Sequence, residues 1–454
     1  MILTIILGLL GLGIVVFVHE LGHFLAAKAS GITVEAFSLG WGKPILRRTW
    51  KGTEYRIGIL PLGGYCKMKG EELFKKALED KQDKIYEEEG SLFSAPVGKR
   101  LITYLAGPAF NFIFSILVLS LIWFIGFSVE TFENRVILIS EYPSLFEDRE
   151  YPSDKAGLQT GDRIVEIAGQ EVDTYSDIRQ IIAKSPEEKL PVTVKRDQRT
   201  VSLTISPELD KSTGAGQIGV AAWIEPVIDT VEDGSSAETA GLQPGDRITS
   251  VAGEETDHYL DIFKALSDTP EKSSLTYTRE GSSRTTEIAP AYEEGGNPNL
   301  GISFRKIEDK SPRLGPFSSI ARGTAESVET FALTIKGIGL LFSGVDVKQA
   351  VSGPIRITYL VGEVATTSLS GGIGSGLITL FRFLSFLSVA LCFGNLLPIP
   401  ALDGGFIVLS LVELVKGTSV SPKTFYRYQT VGFFIVIIIL FFTTFGDITY
   451  LFSQ

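Results

Sequence analysis

Uncharged apolar runs alternate with charged segments along this chain, and the runs are long enough to predict membrane-spanning helices. Residues 1–18, 101–127 and 383–402 carry no charged side chain. A helix needs about 20 apolar residues to cross a bilayer. Together with a last apolar run near the C-terminus, the pattern predicts four spans, in the segments 1–29, 101–128, 376–405 and 429–450.

The charged segments predict which side of the membrane each connection occupies. Lysine and arginine are frequent in residues 30–100, so the positive-inside bias makes this segment cytoplasmic. With four spans, the loop 406–428 falls on the same side. Residues 1–18 also invite interpretation as a secretory signal peptide, but they lack a basic start and a small-residue cleavage site, which favours a retained helix.

Between the second and third spans the composition becomes that of a soluble protein, and an internal repeat appears. Residues 156–164 recur as residues 240–248, an offset of 84 positions. Alternating apolar and polar runs follow each copy and predict strands. We therefore expect two tandem β-rich domains, at 130–215 and 216–305. The repeated Ala-Gly-Leu-x-x-Gly-Asp-Arg-Ile resembles PDZ domains, which bind chain termini or strands. A lid that filters substrates by size and binds no peptide is the alternative.

Residues 306–375 complete the chain between the repeats and the third span. Lys336 and Glu363 interrupt their apolar runs, which predicts extracytoplasmic or interfacial helices rather than spans.

The first apolar run contains the sequence His19-Glu20-Leu21-Gly22-His23. On a helix, two histidines four residues apart lie on one face, where both imidazoles can reach one metal ion. Glu20 then stands beside the ion, as a general base must. A satisfied polar cluster is the alternative, but the chain has only three histidines, which makes a chance match improbable. Ionisable groups at membrane depth also favour a functional interpretation.

A third ligand is expected where the third span is broken. Pro398 and Pro400 cannot sit comfortably inside a helix, so the end of this span should be extended. Irregular backbone at membrane depth is tolerated where protein or a water-filled cavity surrounds it. Asp403 follows this break, and the four-span topology puts it at the same cytoplasmic-facing depth as the histidines. It is therefore the candidate third ligand.

Three further segments are interpreted from their local patterns. Residues 55–68 predict two short strands around a Pro/Gly turn, a hairpin that could offer an edge to an extended peptide or serve only as surface. Gly107, Pro108 and Asn111 interrupt the second span, where packing at a helix crossing is expected ahead of proximity to the site. Residues 71–90 predict a solvated helix or loop without chemistry.

Composition excludes several classes. At 454 residues and 44% hydrophobic content, with a charged middle, the chain is expected to be a composite membrane protein. A net charge of −11 with no basic stripe argues against nucleic-acid binding. Cys66 and Cys392 are the only cysteines, which predicts neither a disulfide framework nor a cysteine-based zinc site.

These motifs resemble the site-2 protease family of intramembrane zinc metalloproteases, and within it the bacterial members with tandem PDZ domains. The resemblance implies a multi-domain membrane protein, in which a four-span α-helical metalloprotease core carries two inserted β-rich PDZ-like domains. It implies one zinc ion per chain and a set of site residues. These are the ligands His19, His23 and Asp403, the base Glu20, and the substrate-binding residues Asn395, Pro398, Pro400, Gly63, Gly64 and Tyr65. Asn395 would hydrogen-bond the substrate backbone or the developing oxyanion.

The resemblance also implies partners and location. Single-span membrane proteins such as an anti-sigma factor, together with remnant signal peptides, would be cleaved in the bacterial inner membrane during envelope stress. The PDZ-like domains would be extracytoplasmic and the active site would face the cytoplasm. Two alternatives stay open: a membrane-anchored PDZ scaffold without protease activity, and a metal transporter. A transporter would need several intramembrane carboxylates, and the sequence offers essentially one beyond Glu20.

Overall fold

The computed structural model describes residues 1–269, 272–292, 298–341, 351–370 and 372–452. The chain forms two compact units. The first, here called the membrane unit, combines Met1–Phe127 with Ser311–Gln454, and the second, the repeat unit, is Ser128–Lys310. The repeat unit is therefore inserted between the second and third predicted spans.

The described helices and strands have the following bounds. The helices are α1 Ile2–Ala29, α2 Glu71–Glu79, α3 Val97–Ile125, α4 Pro152–Lys155, α5 Tyr175–Lys184, α6 Ser236–Thr239, α7 Tyr259–Asp268, α8 Pro316–Leu341, α9 Pro354–Ser370, α10 Ile373–Leu396, α11 Asp403–Lys416 and α12 Pro422–Phe452. The strands are β1 Val34–Trp50, β2 Thr53–Met68, β3 Ser128–Thr131, β4 Val136–Leu138, β5 Arg163–Ile167, β6 Gln170–Glu171, β7 Leu190–Arg196, β8 Arg199–Ile205, β9 Glu208–Leu209, β10 Gly216–Gln217, β11 Val220–Ala222, β12 Ile228–Val231, β13 Arg247–Val251, β14 Glu254–Glu255, β15 Ser273–Arg279, β16 Ser282–Ile288, β17 Ala291–Tyr292, β18 Pro298–Asn299, β19 Ile302–Phe304 and β20 Ile307–Lys310.

Among the described residues, four helices are long and apolar enough to cross a membrane, which confirms the predicted number. They are Ile2–Ala29, Val97–Ile125, Ile373–Leu396 and Pro422–Thr449. The third ends earlier than the predicted 376–405, because Pro398 cannot continue a helix. The predicted loop 406–428 differs as well. It begins inside α11, which ends at Lys416 and is followed by Gly417 in the left-handed conformation that suits glycine at a helix end.

Two helices of the segment 306–375, which are not among the candidate spans, pack against the spans. In α8, the Ser327 hydroxyl lies 3.0 Å from that of Ser115 in α3. In α9, the backbone crosses α1 so closely that a Cβ on Gly8 would stand 2.0 Å from the Thr358 carbonyl oxygen. Their polar residues did not exclude this, since an amphipathic helix can cover a span as readily as a membrane surface. Residues 342–350 and 371 of the predicted segment lie outside the described residues.

The sheet formed by residues 34–68 is larger than the predicted hairpin. β1 and β2 join at a turn at Lys51 and Gly52, both with positive φ. β1 residue Phe37 is paired with Tyr55 on one side and with Cys66 on the other. The two predicted strands are therefore the two halves of β2, and they flank β1 instead of pairing with each other. Residues 64–68 pair with β1 on one side, and no other described strand covers their second edge.

The repeat unit contains a four-stranded sheet in each of the two segments that were predicted to be β-rich domains. Their sheets have the same strand order, β6-β5-β7-β8 in the first and β14-β13-β15-β16 in the second, each over its own buried core. The predicted boundary after residue 215 differs from the structure. β11 pairs with β4, and Ile218 belongs to the first core, so the first repeat extends to Ala222. The sequence echo marks the repeated segments but not the strand that returns to close each domain.

The two repeats are joined by buried side chains. The Tyr142 hydroxyl of the first donates to Asp261 Oδ1 of the second at 2.8 Å and lies 3.1 Å from His258 Nε2. The His258 ring also meets Trp223 edge-on, with centroids 4.6 Å apart. Burial lowers the pKa of His258 below its ordinary value. Burial in the joint therefore favours the neutral form of His258.

Candidate metal centre

Helix α1 brings the two histidines of the motif together. His19 and His23 are each 7% exposed. Their Nε2 atoms lie 3.1 Å apart. One helical turn separates the residues, so both rings leave the same face of α1. Two ring nitrogens this close are arranged to share one partner.

Asp403 supplies the third atom of the cluster. It is the first residue of α11, and its Oδ2 lies 3.0 Å from His19 Nε2 and 3.4 Å from His23 Nε2. The preceding loop folds back over the start of α11, where a Cβ on Gly404 would stand 2.3 Å from the carbonyl oxygens of Leu396 and Leu397. Glycine at that position therefore permits the tight approach that directs Asp403 toward α1.

Helix α3 orients both imidazoles from behind. His23 Nδ1 donates to the Thr103 carbonyl oxygen at 2.8 Å, which leaves Nε2 as a free acceptor. The Asn111 amide lies 3.3 Å from His19 Nδ1 through Nδ2, while its buried Oδ1 has no partner. Turning the amide by 180° lets Oδ1 accept the Nδ1 proton and frees the Nε2 lone pair of His19 as well. Asn111 is thus part of the site, whereas packing was the expectation.

Gly107 makes room for the imidazoles. A Cβ at this position would lie 2.3 Å from His23 Nε2 and 2.9 Å from His19 Cε1. No side chain larger than hydrogen fits there without displacing a ring. The Gly-Pro-x-x-Asn sequence carried the signal for this contact, since residues 107 and 111 are one helical turn apart, but its partner was not visible from the sequence.

A cavity of about 740 Å³ opens beside the histidines. Glu20, Gly64, Tyr65 and Asn395 line it, so these predicted site residues share one space with the cluster. The Glu20 side chain lies against the free strand edge, because a Cβ on Gly64 would be 3.5 Å from Glu20 Cγ. The predicted substrate-binding edge therefore borders the predicted base.

Other predicted residues are differently placed. Gly63, Pro398 and Pro400 are not among the described lining residues of this cavity. The Pro400 carbonyl instead packs against α12, where a Cβ on Gly432 would stand 1.9 Å from it. Conversely, Phe74 of α2 lines the cavity, although 71–90 was expected to lack chemistry. The amphipathic α2 buries its apolar face there.

The donor set fits a catalytic zinc ion. Two imidazole nitrogens and one carboxylate oxygen lie within 4.8 Å of one another. The Asp403 Oδ2 that faces both rings is buried without a hydrogen-bond partner. Three protein ligands of this N, N, O type leave a fourth position for water or substrate. The unpartnered oxygen is the observation that a bound cation would explain.

Comparison with known proteins agrees with this chemistry. The sequence model of peptidase family M50 matches residues 7–439. The chain belongs to peptidase family M50. A protein of Treponema pallidum named "Putative zinc metalloprotease" is 38% identical over 99% of this chain and all of its own length. The "Regulator of sigma-E protease RseP" of Escherichia coli is 31% identical over 97% of each chain.

Membership makes the protein a zinc metalloprotease of the site-2 type, which confirms the predicted enzyme class. One solved structure is also similar to part of the chain, the PDZ domain of the SdrC-like protein from Listeria monocytogenes. It covers 18% of this chain and 90% of its own, at 17% sequence identity and a TM-score of 0.17.

Proposed function

We propose that the chain is an intramembrane protease that cleaves single-span membrane proteins, of which an anti-sigma factor is the type expected. It would do so in the bacterial inner membrane, with the repeat unit outside and the active site toward the cytoplasm. The observation that carries the proposal is the approach of Asp403 Oδ2 to both imidazoles of α1, a helix long and apolar enough to span a membrane. Relatives named as regulators of sigma-E support the substrate class.

His19, His23 and Asp403 would hold one zinc ion. When bound, zinc supplies Lewis-acid polarisation of the scissile carbonyl and lowers the pKa of water. Glu20, which lines the cavity beside the imidazoles, takes the proton of the attacking water and passes it to the leaving amine. Asn395 shares that cavity and is the candidate donor to the substrate backbone or the oxyanion.

The free edge at residues 64–68 provides a place for the substrate backbone. A transmembrane helix has all its backbone groups paired internally, so the segment to be cut must unwind. An unwound strand can recover hydrogen bonds by adding to a sheet edge. Gly64 and Tyr65 border Glu20, which would bring the bound peptide beside the base.

A PDZ scaffold without protease activity is the second candidate, favoured only by the two β-rich repeats. The metal-transporter alternative loses support. The sequence count of carboxylates overlooked Glu413 and Asp447, which are buried in the membrane unit. Glu413 pairs with Arg100, and Asp447 accepts backbone N–H groups, so both have structural partners instead of lining an ion path.

Glu20→Gln tests the proposal. The full chain in proteoliposomes is given a single-span substrate, while zinc content is measured by mass spectrometry. We expect cleavage to disappear with zinc retained, and Asp403→Ala to lose zinc. Glu79→Gln, an exposed change of the same kind on α2, is the matched control. Unchanged cleavage by Glu20→Gln would refute the assigned base, and absence of zinc from the wild-type protein would favour the scaffold.

A further inference from the structure

A buried ion pair joins α3 and α11, two of the three helices that meet at the metal centre. Arg100 lies in the first turn of α3, and Glu413 lies near the end of α11. They form a salt bridge through Arg100 Nη2 and Glu413 Oε2, and their residues are only 8% and 5% exposed. The second carboxylate oxygen, Oε1, accepts the Val420 backbone N–H at 2.7 Å. Glu413 therefore also holds the loop that leads into α12.

Stability alone does not explain this pair. Removing two charges from water costs about as much as their attraction returns, and well-packed apolar replacements are often neutral or stabilising. The chain nevertheless keeps an arginine and a glutamate here, 313 positions apart in sequence. A buried pair of this kind fixes one relative position of two helices, because neither charge can slide to a new partner without being left unpaired.

Both helices joined by this ion pair also contact the imidazoles of the metal centre. On α3, Arg100, Thr103 and Gly107 follow one another at helical spacing, and the latter two contact His23. On α11, Asp403 and Glu413 are ten residues apart, which is about 15 Å along a helix. Asp403 contacts the imidazoles at one end while Glu413 is bound to α3 at the other.

An aromatic contact lies between these two ends. The Tyr104 ring of α3 stacks on the Phe406 ring of α11, with centroids 5.1 Å apart and planes at 17°. Stacking tolerates sliding of one ring over the other, whereas an ion pair with directed hydrogen bonds does not. Of these two contacts, the ion pair is therefore the one that resists sliding of α11 along α3.

We propose that Arg100 and Glu413 are positioning residues, which set where the Asp403 carboxylate stands relative to the two imidazoles. The inference rests on the proposed function, since it takes Asp403 as the third ligand. Neither Arg100 nor Glu413 is among the described residues that line the cavity. The pair would affect the ligands by holding α11, and with it Asp403, at one position along α3.

The decisive variant is the double replacement Arg100→Met with Glu413→Leu. Apolar partners of similar size leave no unpaired buried charge, although the Val420 N–H loses its acceptor, so the melting temperature should stay close to that of the wild type. If the pair sets the register, zinc affinity measured by chelator competition should still fall tenfold or more, as for other contacts that orient ligands. The visible spectrum of the cobalt-substituted protein should change because the ligand geometry changes.

Two controls separate this idea from the proposed function. Asp447→Asn disturbs a buried carboxylate elsewhere in the membrane unit and should leave zinc affinity unchanged. Asp403→Ala should lose zinc. Full zinc content in that variant would show that Asp403 is not a ligand and that the proposed ligand set is wrong. If Asp403→Ala loses zinc while the double variant binds zinc and cobalt as the wild type does, the positioning role is wrong and the ligand set stands.

Discussion

Gly107→Ala adds one methyl group where α3 crosses the two imidazoles. Its Cβ would lie 2.3 Å from His23 Nε2, whereas ordinary van der Waals contact begins at 3.4 Å. The ring must therefore retreat by about 1 Å, or the helices must part. Ligand positions in a metal site tolerate only about 0.2 Å. The displacement is several times this tolerance, so we expect zinc affinity to fall by about tenfold to a hundredfold.

Global stability should respond far less. Overpacking costs about 1–3 kcal/mol. Alanine recovers about 0.8–1.0 kcal/mol of helix propensity relative to glycine. The net cost is then about 0–2 kcal/mol, and the variant should fold. We therefore expect a protein with near-normal melting temperature, reduced zinc retention under chelator challenge, and reduced cleavage of a single-span substrate.

Gly98→Ala is the matched control, because it makes the same change on the same helix. Nothing lies within 4 Å of a Cβ built at Gly98. This variant should retain zinc and activity. Wild-type zinc affinity and cleavage in Gly107→Ala would show that the imidazoles do not need the space beside α3. The arrangement of the metal centre described above would then be wrong.

Two further predictions concern stability. Asp447 accepts the backbone N–H groups of Gly353, Ile355 and Arg356 at 2.7–3.1 Å. Asp447→Asn weakens these charge-assisted bonds, so the free energy of unfolding measured by melting in detergent should fall by about 1–3 kcal/mol. The zinc content should be unchanged. Burial lowers the pKa of His258, so the unfolded state binds a proton at this histidine more readily than the folded state does. The stability of the repeat unit should therefore be full above about pH 6.5, the ordinary pKa of histidine, and fall below it. Hydrogen exchange of the full chain at pH 7.5 and 5.5 measures this fall, and His258→Phe should reduce it; an equal fall in that variant would contradict the assignment.

The sequence was informative where the pattern is local. The His19-Glu20-x-x-His23 spacing fixes one helical face whatever surrounds it, and the structure keeps both rings there. The break at Pro398 likewise ends a helix by its own chemistry. Asp403 required one further step, the parity of the spans, which puts two distant segments at the same depth. All three predictions rest on backbone geometry or on the bilayer, and none of them requires knowledge of a packing partner.

The locations of α8 and α9 could not be predicted in this way. A helix with a polar and an apolar face has the same pattern whether it covers a membrane surface or a neighbouring span. The contact of α8 depends on small groups, such as Gly323, whose Cβ would stand 2.6 Å from the Ser120 backbone nitrogen. In α9, Gly362 similarly approaches Thr4. Such close crossings are common between helices in membranes, but a glycine alone does not name its partner.

Arg100 illustrates the same difficulty with a charge. An arginine one turn inside the second span is typical of a cytoplasmic anchor whose head group reaches the membrane surface. Its burial against Glu413 becomes visible only when α11 is folded onto α3. The same face of α3 then carries Thr103, Gly107 and Asn111 against the histidines. The metal centre is thus set by the crossing of α1, α3 and α11, because the ligand motifs specify which atoms can bind while α3 determines whether those atoms meet.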